Sequence, residues 1–160
     1  MIFCIIAGFI INFIGIEVHS PGVGRLLARA KNNSLTNLRI FHHDAIEVLT
    51  HSIQDNSLDT VQVFFPDPWP KKRHYKRRLI QSEFVSLVAQ KLKAGGYLHC
   101  ATDWEHYAEQ MMRVLSTSCL INVQGEGKYY LEPYRLRPIT KFEQRGLKLK
   151  HQIWDLVFRK

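Results

Sequence analysis

Asp67 is the residue whose surroundings point most directly to chemistry, in Phe64-Phe65-Pro66-Asp67-Pro68-Trp69-Pro70. Two proline rings, each fixing φ, hold its carboxylate between them. A basic run follows at once, Lys71-Lys72-Arg73-His74-Tyr75-Lys76-Arg77-Arg78. A rigid acid beside an arm suited to phosphates points to chemistry on nucleic acid. Glu17, Asp44 and Asp103 share the setting of Asp67, because each comes at or just after a short apolar run. Each alone has an ordinary structural use, and Asp44 directly before Ala45 would serve as a helix N-cap. Four acids in the same relation to four such runs call for a common explanation.

That explanation lies in the elements that position them. The run Val61-Gln62-Val63-Phe64-Phe65 has the composition of a strand buried on both faces. Its prolines cannot continue a ladder, so it ends near Phe65. Similar runs predict strands over 12–18, 38–42, 97–102 and 152–158. Helices are expected over 20–30, 45–51, 82–92 and 106–115. Ser20-Pro21 reads as a capped start with proline in the first turn. Phe84, Val85, Leu87, Val88 and Leu92 recur at helical spacing, and Lys93-Ala94-Gly95-Gly96 reads as a glycine stop. Strands separated by helices imply crossover connections and an α/β fold with a mostly parallel sheet. Such a sheet puts the carboxyl ends of its strands on one edge, where open α/β sheets bind ligands. An acid after the second strand suits ribose hydroxyls, which fits Glu17. Asp44 could accept from an adenine amino group, and Asp67 from the N–H edge of a flipped base.

The totals agree with a single domain over 1–160. Apolar residues are 46%, an ordinary globular share that argues against disorder. Lys and Arg number 22 against 14 Asp and Glu, a formal charge of +8, which points to a polyanionic partner. Cys4, Cys100 and Cys119 are odd in number and lack metal-ligand spacing, as expected of a reduced cytosolic chain. Residues 1–16 are nearly all apolar, but no basic segment precedes them as in a secretory signal, and Asn12 interrupts a run already short for a membrane span. The β-branched stretch 10–18 reads as a buried strand.

Several of these motifs closely resemble those of bacterial tRNA (guanine-N7-)-methyltransferases, the TrmB family. They are Gly15-Ile16-Glu17-Val18-His19-Ser20-Pro21-Gly22-Val23-Gly24, His43-Asp44-Ala45, Phe64-Phe65-Pro66-Asp67-Pro68-Trp69 and Ala101-Thr102-Asp103-Trp104. Arg137-Pro138-Ile139-Thr140-Lys141-Phe142-Glu143-Gln144-Arg145-Gly146 completes the set. The resemblance runs from about Asn12 to the carboxyl terminus. It implies a Rossmann-like fold using S-adenosylmethionine to methylate N7 of a guanine in the variable loop of tRNA, in the cytoplasm and not at a membrane. Glu17, Asp44 and Asp67 would contact the methyl donor, with Asp67 also catalytic. Lys71, Asp103, Thr140, Lys141, Phe142 and Glu143 would contact substrate, and Arg73, His74, Tyr75, Lys76, Arg77 and Arg78 the RNA. Thr140-x-x-Glu143 also has the form of a capping box. Trp69 suits either stacking on the base or bracing the loop.

One departure is expected to matter. The family's first strand and glycine-rich loop, which cradle the donor, should precede Asn12, whereas residues 1–11 carry only Gly8. The fold is thus expected to lack both, with residues 1–11 atypical and donor binding weak. The alternatives are a catalytically impaired tRNA-binding remnant of the same family and an enzyme methylating an adenine or cytosine amino group.

Overall fold

The computed structural model describes residues 2–6, 11–129 and 139–160. In chain order the elements are β1 (Ile2–Ile6), β2 (Asn12–Ile16), α1 (Ser20–Asn32), β3 (Leu38–Phe41), α2 (Ala45–Ser52) and β4 (Leu58–Phe64). After a 3₁₀ turn (Lys72–Arg77) come α3 (Ser82–Lys91), β5 (Leu92–Thr102), α4 (Glu105–Ser116), β6 (Ile121–Asn122), α5 (Lys141–Lys148) and β7 (Trp154–Arg159). Part of the last resembling motif, Arg137 and Pro138, lies outside the described residues.

The strands form a single sheet in the order β3-β2-β1-β4-β5-β7-β6. Parallel ladders join β2 to β3 and β4 to β5, while β1 runs against both of its neighbours. With β7 reversed against β5 and β6 against β7, five of the seven described strands run one way. The α/β reading with a mostly parallel sheet therefore holds.

The expected loss of the first strand needs correcting. A strand does stand in the central slot, between β2 and β4, and it points backwards. Ile2 pairs with Ile16 and Val63, so β1 begins at the edge where its neighbours end. Residues 7–11 are all that separate β1 from β2, and a parallel neighbour needs a crossover of about a dozen residues or more. So short a link allows only the antiparallel pairing.

The core lies where α2, α3 and α4 cover the sheet. Val48 and Leu49 of α2, Phe84, Val85 and Val88 of α3, and Tyr107, Met111 and Leu115 of α4 are buried against Val61, Val63, Leu98, Leu156 and Phe158. In α3 the buried residues recur at i, i+1 and i+4, one apolar stripe facing the strands. Full burial of side chains this size contributes about 1.5–3 kcal/mol each. By contrast α1 buries no residue.

Two local readings change. His19, not Ser20, is the N-cap of α1, and no side chain caps it. Lys93-Ala94-Gly95-Gly96 lies inside β5, which starts as soon as α3 ends. Its glycines are nonetheless required. Gly95 has φ of +79°, and a Cβ on Gly96 would stand 3.0 Å from the carbonyl oxygens of Asp59 and Lys93.

Candidate active site

Glu17 follows β2, Asp44 comes just after β3, Asp67 just after β4 and Asp103 follows β5. Those four strands point the same way, so the four acids line one sheet edge, in the spatial order Asp44, Glu17, Asp67, Asp103. The start of β1 lies between Glu17 and Asp67.

Each acid is held by its own local structure. Glu17 accepts from the backbone N–H of His19 at 3.0 Å, and its side chain packs over Gly22, where a Cβ would stand 3.2 Å from Oε2. Asp44 caps α2, its Oδ1 accepting from the N–H groups of Ile46 at 2.8 Å and Glu47 at 3.2 Å. The capping role does not remove Asp44 from the edge, since it remains exposed beside Glu17's strand. His42 Nε2 lies 3.1 Å from the Val18 carbonyl, which ties the ends of β2 and β3 together. Beside them Phe41, His42, His43, Glu47, Val48 and His51 line a cavity of about 490 Å³ that none of the four acids borders.

The segment around Asp67 is strained. Phe65 and Trp69, on either side of Pro-Asp-Pro, have φ of +51° and +41°. Left-handed backbone at an aromatic residue costs on the order of 1–3 kcal/mol and persists only where the surroundings enforce it. Phe65 N–H still donates to the Ala101 carbonyl, at 2.8 Å, so the β4–β5 ladder runs up to the strained turn. Asp67 Oδ1 accepts from Trp69 N–H at 3.1 Å, which closes the turn, and its carboxylate remains exposed. Trp69 meets the His74 ring edge-on at 5.6 Å, and the Arg77 guanidinium stands 5.0 Å over its ring. These contacts give Trp69 a bracing role.

The basic run divides in two. Lys71, Lys72, Arg73, Lys76 and Arg77 are exposed, with His74 and Tyr75 half-buried. Arg78 is 2% exposed, which corrects its expected contact with RNA. Its Nε donates to the Pro68 carbonyl at 2.7 Å and its Nη1 to Gln110 Oε1 at 2.6 Å. The guanidinium stacks on Tyr75 at 3.9 Å and lies 4.8 Å from the Tyr107 ring centre. Burial lowers the Arg78 pKa, an effect the two tyrosines oppose.

Asp103 is shaped from the far end of the chain. His151 Nδ1 lies 3.4 Å from its Oδ2, and Gly146 of α5 packs directly on it. Thr140 and Glu143 form the capping box of α5: Thr140 Oγ1 accepts from Glu143 N–H at 3.1 Å, and Glu143 Oε2 from Thr140 N–H at 3.3 Å. Glu143 is fully buried, so it braces the helix and does not offer an open substrate contact, a second correction. Lys141 is exposed, Thr140 half-buried, and Phe142 falls within α5. Sequence reasoning missed His151, Gly146 and Gln110, which act on the edge only through the tertiary fold. It also missed the buried pair His99 Nε2 and Asp155 Oδ1, 2.6 Å apart between β5 and β7 beneath Phe64.

The row of acids on one sheet edge and the basic turn beside it make a candidate nucleotide site. Residues 10–156 match the model of a family described as "Putative methyltransferase", and the chain belongs to that family. A tRNA (guanine-N(7)-)-methyltransferase of Shewanella amazonensis is 54% identical over 150 residues, which are 94% of this chain and 63% of the relative. One of the same name from Legionella pneumophila strain Corby is 56% identical over 93% of this chain and 66% of its own length. The chain thus spans slightly less than two thirds of these relatives. Among solved structures, the N-methyltransferase NodS of Bradyrhizobium japonicum in complex with S-adenosyl-l-homocysteine superposes with a TM-score of 0.58 at 15% identity, over 92% of this chain and 65% of NodS. A methyltransferase homolog of Pyrococcus horikoshii gives 0.63 at 12% identity, over 92% of this chain and 52% of its own. At such identities the likeness is one of fold.

Proposed function

We propose that the chain is a tRNA (guanine-N7-)-methyltransferase acting in the cytoplasm, with S-adenosylmethionine as donor and a variable-loop guanine as acceptor. The observation that carries the reading is Asp67, exposed and held in a strained turn between the row of acids and the basic turn. Relatives named tRNA (guanine-N(7)-)-methyltransferase, more than half identical over most of this chain, support it.

Guanine N7 carries an in-plane lone pair, so no strong base is needed to create a nucleophile. The task is to hold N7 in line for transfer, which is a matter of positioning. A carboxylate that accepts from the Watson–Crick edge of guanine orients the base and offsets the positive charge N7 gains. Asp67 has the exposure and rigidity for both. Asp103, just after β5 and against α5, would take a second contact, and Lys71 follows Asp67 on the same loop. The exposed Arg73, Lys76 and Arg77, with His74 and Tyr75 between them, would hold the RNA backbone.

The donor supplies the methyl group and a sulfonium charge. Glu17 beside Gly22 suits its ribose, and Asp44 its adenine. The methionine end would meet the amino end of β1, where a glycine loop and helix N-terminus are expected in this family. That reversed strand favours a second reading, a tRNA-binding member of the family with weak donor use.

One experiment separates the two. The chain is incubated with unmodified tRNA and labelled donor, the product is mapped for 7-methylguanine, and donor binding is titrated by calorimetry. Label at a single guanine supports the enzyme. Tight tRNA binding with neither label nor donor binding supports the second reading, and label on an adenine or cytosine overturns both.

A further inference from the structure

Arg78 belongs to a run of cations and yet points into the protein. Its fork reaches three ways. Nε takes the Pro68 carbonyl, inside the strained turn that carries Asp67. Nη1 reaches two side chains of α4, Gln110 Oε1 at 2.6 Å and His106 Nδ1 at 3.1 Å. His106 and Gln110 are four residues apart on that helix, hence on one face. The rings of Tyr75 and Tyr107 fix the guanidinium plane. Nη2 is buried with no hydrogen-bond partner among the described residues. A cation desolvated to this degree, with one donor unused, is a costly way to fill a core position. The cost is understandable if the fork is needed to hold something.

What it holds is the turn. Left-handed φ at Phe65 and Trp69 requires an outside constraint, and prolines 66 and 68 have no N–H with which to anchor themselves. Trp69 N–H is spent on Asp67 itself. Beside the Phe65 N–H bond to Ala101 and the ring contacts of Trp69, the Pro68 carbonyl is the handle that joins the middle of the turn, through Arg78, to a helix packed in the core. We propose that Arg78 is a positioning residue, clamping the turn at 66–69 to α4 and so setting where the Asp67 carboxylate meets the substrate base. The proposal rests on the role given to Asp67 above and adds the residue through which the fold controls it.

Arg78→Lys in the full chain is the test, because lysine keeps the charge but cannot span the Pro68 carbonyl and α4 together. Solvent exchange of the Trp69 amide, read by NMR, should rise at least tenfold, while the core amides of Val61 and Leu98 stay within twofold. Gln110→Met, which removes one acceptor and keeps the volume, should shift Trp69 the same way by a smaller factor. In methyl transfer, Arg78→Lys should lower kcat at least tenfold and leave the KM for tRNA within twofold. On an Asp67→Asn background it should cost nothing more. Unchanged Trp69 exchange in a folded Arg78→Lys chain overturns the proposal, as does equal acceleration of the core amides. A kcat loss that adds to that of Asp67→Asn also overturns it. Should Arg78→Lys not fold, Gln110→Met decides alone, an unchanged Trp69 amide refuting the clamp. A parent chain that makes no 7-methylguanine would defeat the catalytic reading, and the Trp69 measurement would still decide the clamp.

Discussion

Gly146 of α5 approaches Asp103 so closely that a Cβ built on it would stand 3.2 Å from the carboxylate Oδ2 and 3.4 Å from the Asp103 Cβ. Alanine there is favoured in a helix by about 1 kcal/mol over glycine. The tightest contact falls on the carboxylate end of a side chain that is 33% exposed. Gly146→Ala should therefore leave unfolding free energy within about 1 kcal/mol of the parent while pushing Asp103 off His151. Methyl transfer should fall roughly tenfold or more, because Asp103 then meets the substrate from the wrong position. Calorimetry beside a methylation assay tests this, and a stable variant with full activity would remove Asp103 from the site.

Asp67→Asn separates charge from shape. The amide oxygen can still accept from Trp69 N–H, so the turn should persist. What is lost is the negative charge that N7 needs as it becomes cationic, which costs on the order of 100-fold. Single-turnover methylation is expected to drop by that factor with tRNA affinity nearly unchanged. A rate within threefold of the parent would rule out the assigned role.

The exposed half of the basic run can be weighed against salt. Replacing Arg73, Lys76 and Arg77 with Ala should reduce the slope of log affinity for tRNA against log salt by roughly 0.7–0.9 for each phosphate that the chain no longer neutralises. Arg78 is left out because it is buried. An unchanged slope would make the turn a solvated loop.

Asp44 has two functions that different substitutions pull apart. Asp44→Ala removes the cap of α2 and should cost about 1 kcal/mol. Asp44→Asn keeps an oxygen for Ile46 N–H but turns an amino group toward an adenine amino group. It should hold stability within a few tenths of a kcal/mol of the parent and weaken donor binding about tenfold, the loss expected when an acceptor is replaced by a donor. Thermal melts and donor titration read the two effects independently.

The acids were legible because their positions depend on local features. β-branched and aromatic runs make strands, and a residue that closes such a run closes a strand. β1 was not legible, because residues 1–11 lack the glycine loop that would mark a first strand, and the sense of the strand depends on the short link to β2. Arg78 was misread for the opposite reason: seven basic or aromatic neighbours suggest solvent, yet the chain turns inward there, and Leu79-Ile80 after it was the available sign. His99 with Asp155, and His151 with Asp103, pair residues 56 and 48 apart, beyond the reach of any local pattern. β6 is two residues long, too short to show a period.

Because the acids come from consecutive turns on one edge, the opposite edge is where the domain can change length. Residues 33–36, between α1 and β3, are exposed and stand at the far rim from the acid row. Doubling such a loop costs only about 0.6 kcal/mol of closure entropy. A graft of several residues at Ser34 should leave the chemistry untouched. Removing one residue from β4 instead draws Asp67 back by about 3.3 Å and reverses which face every side chain after the cut presents. The domain is thus open to insertion on one rim and closed to a single deletion on the other, which tells an engineer where an affinity handle or a second RNA-binding module can be inserted.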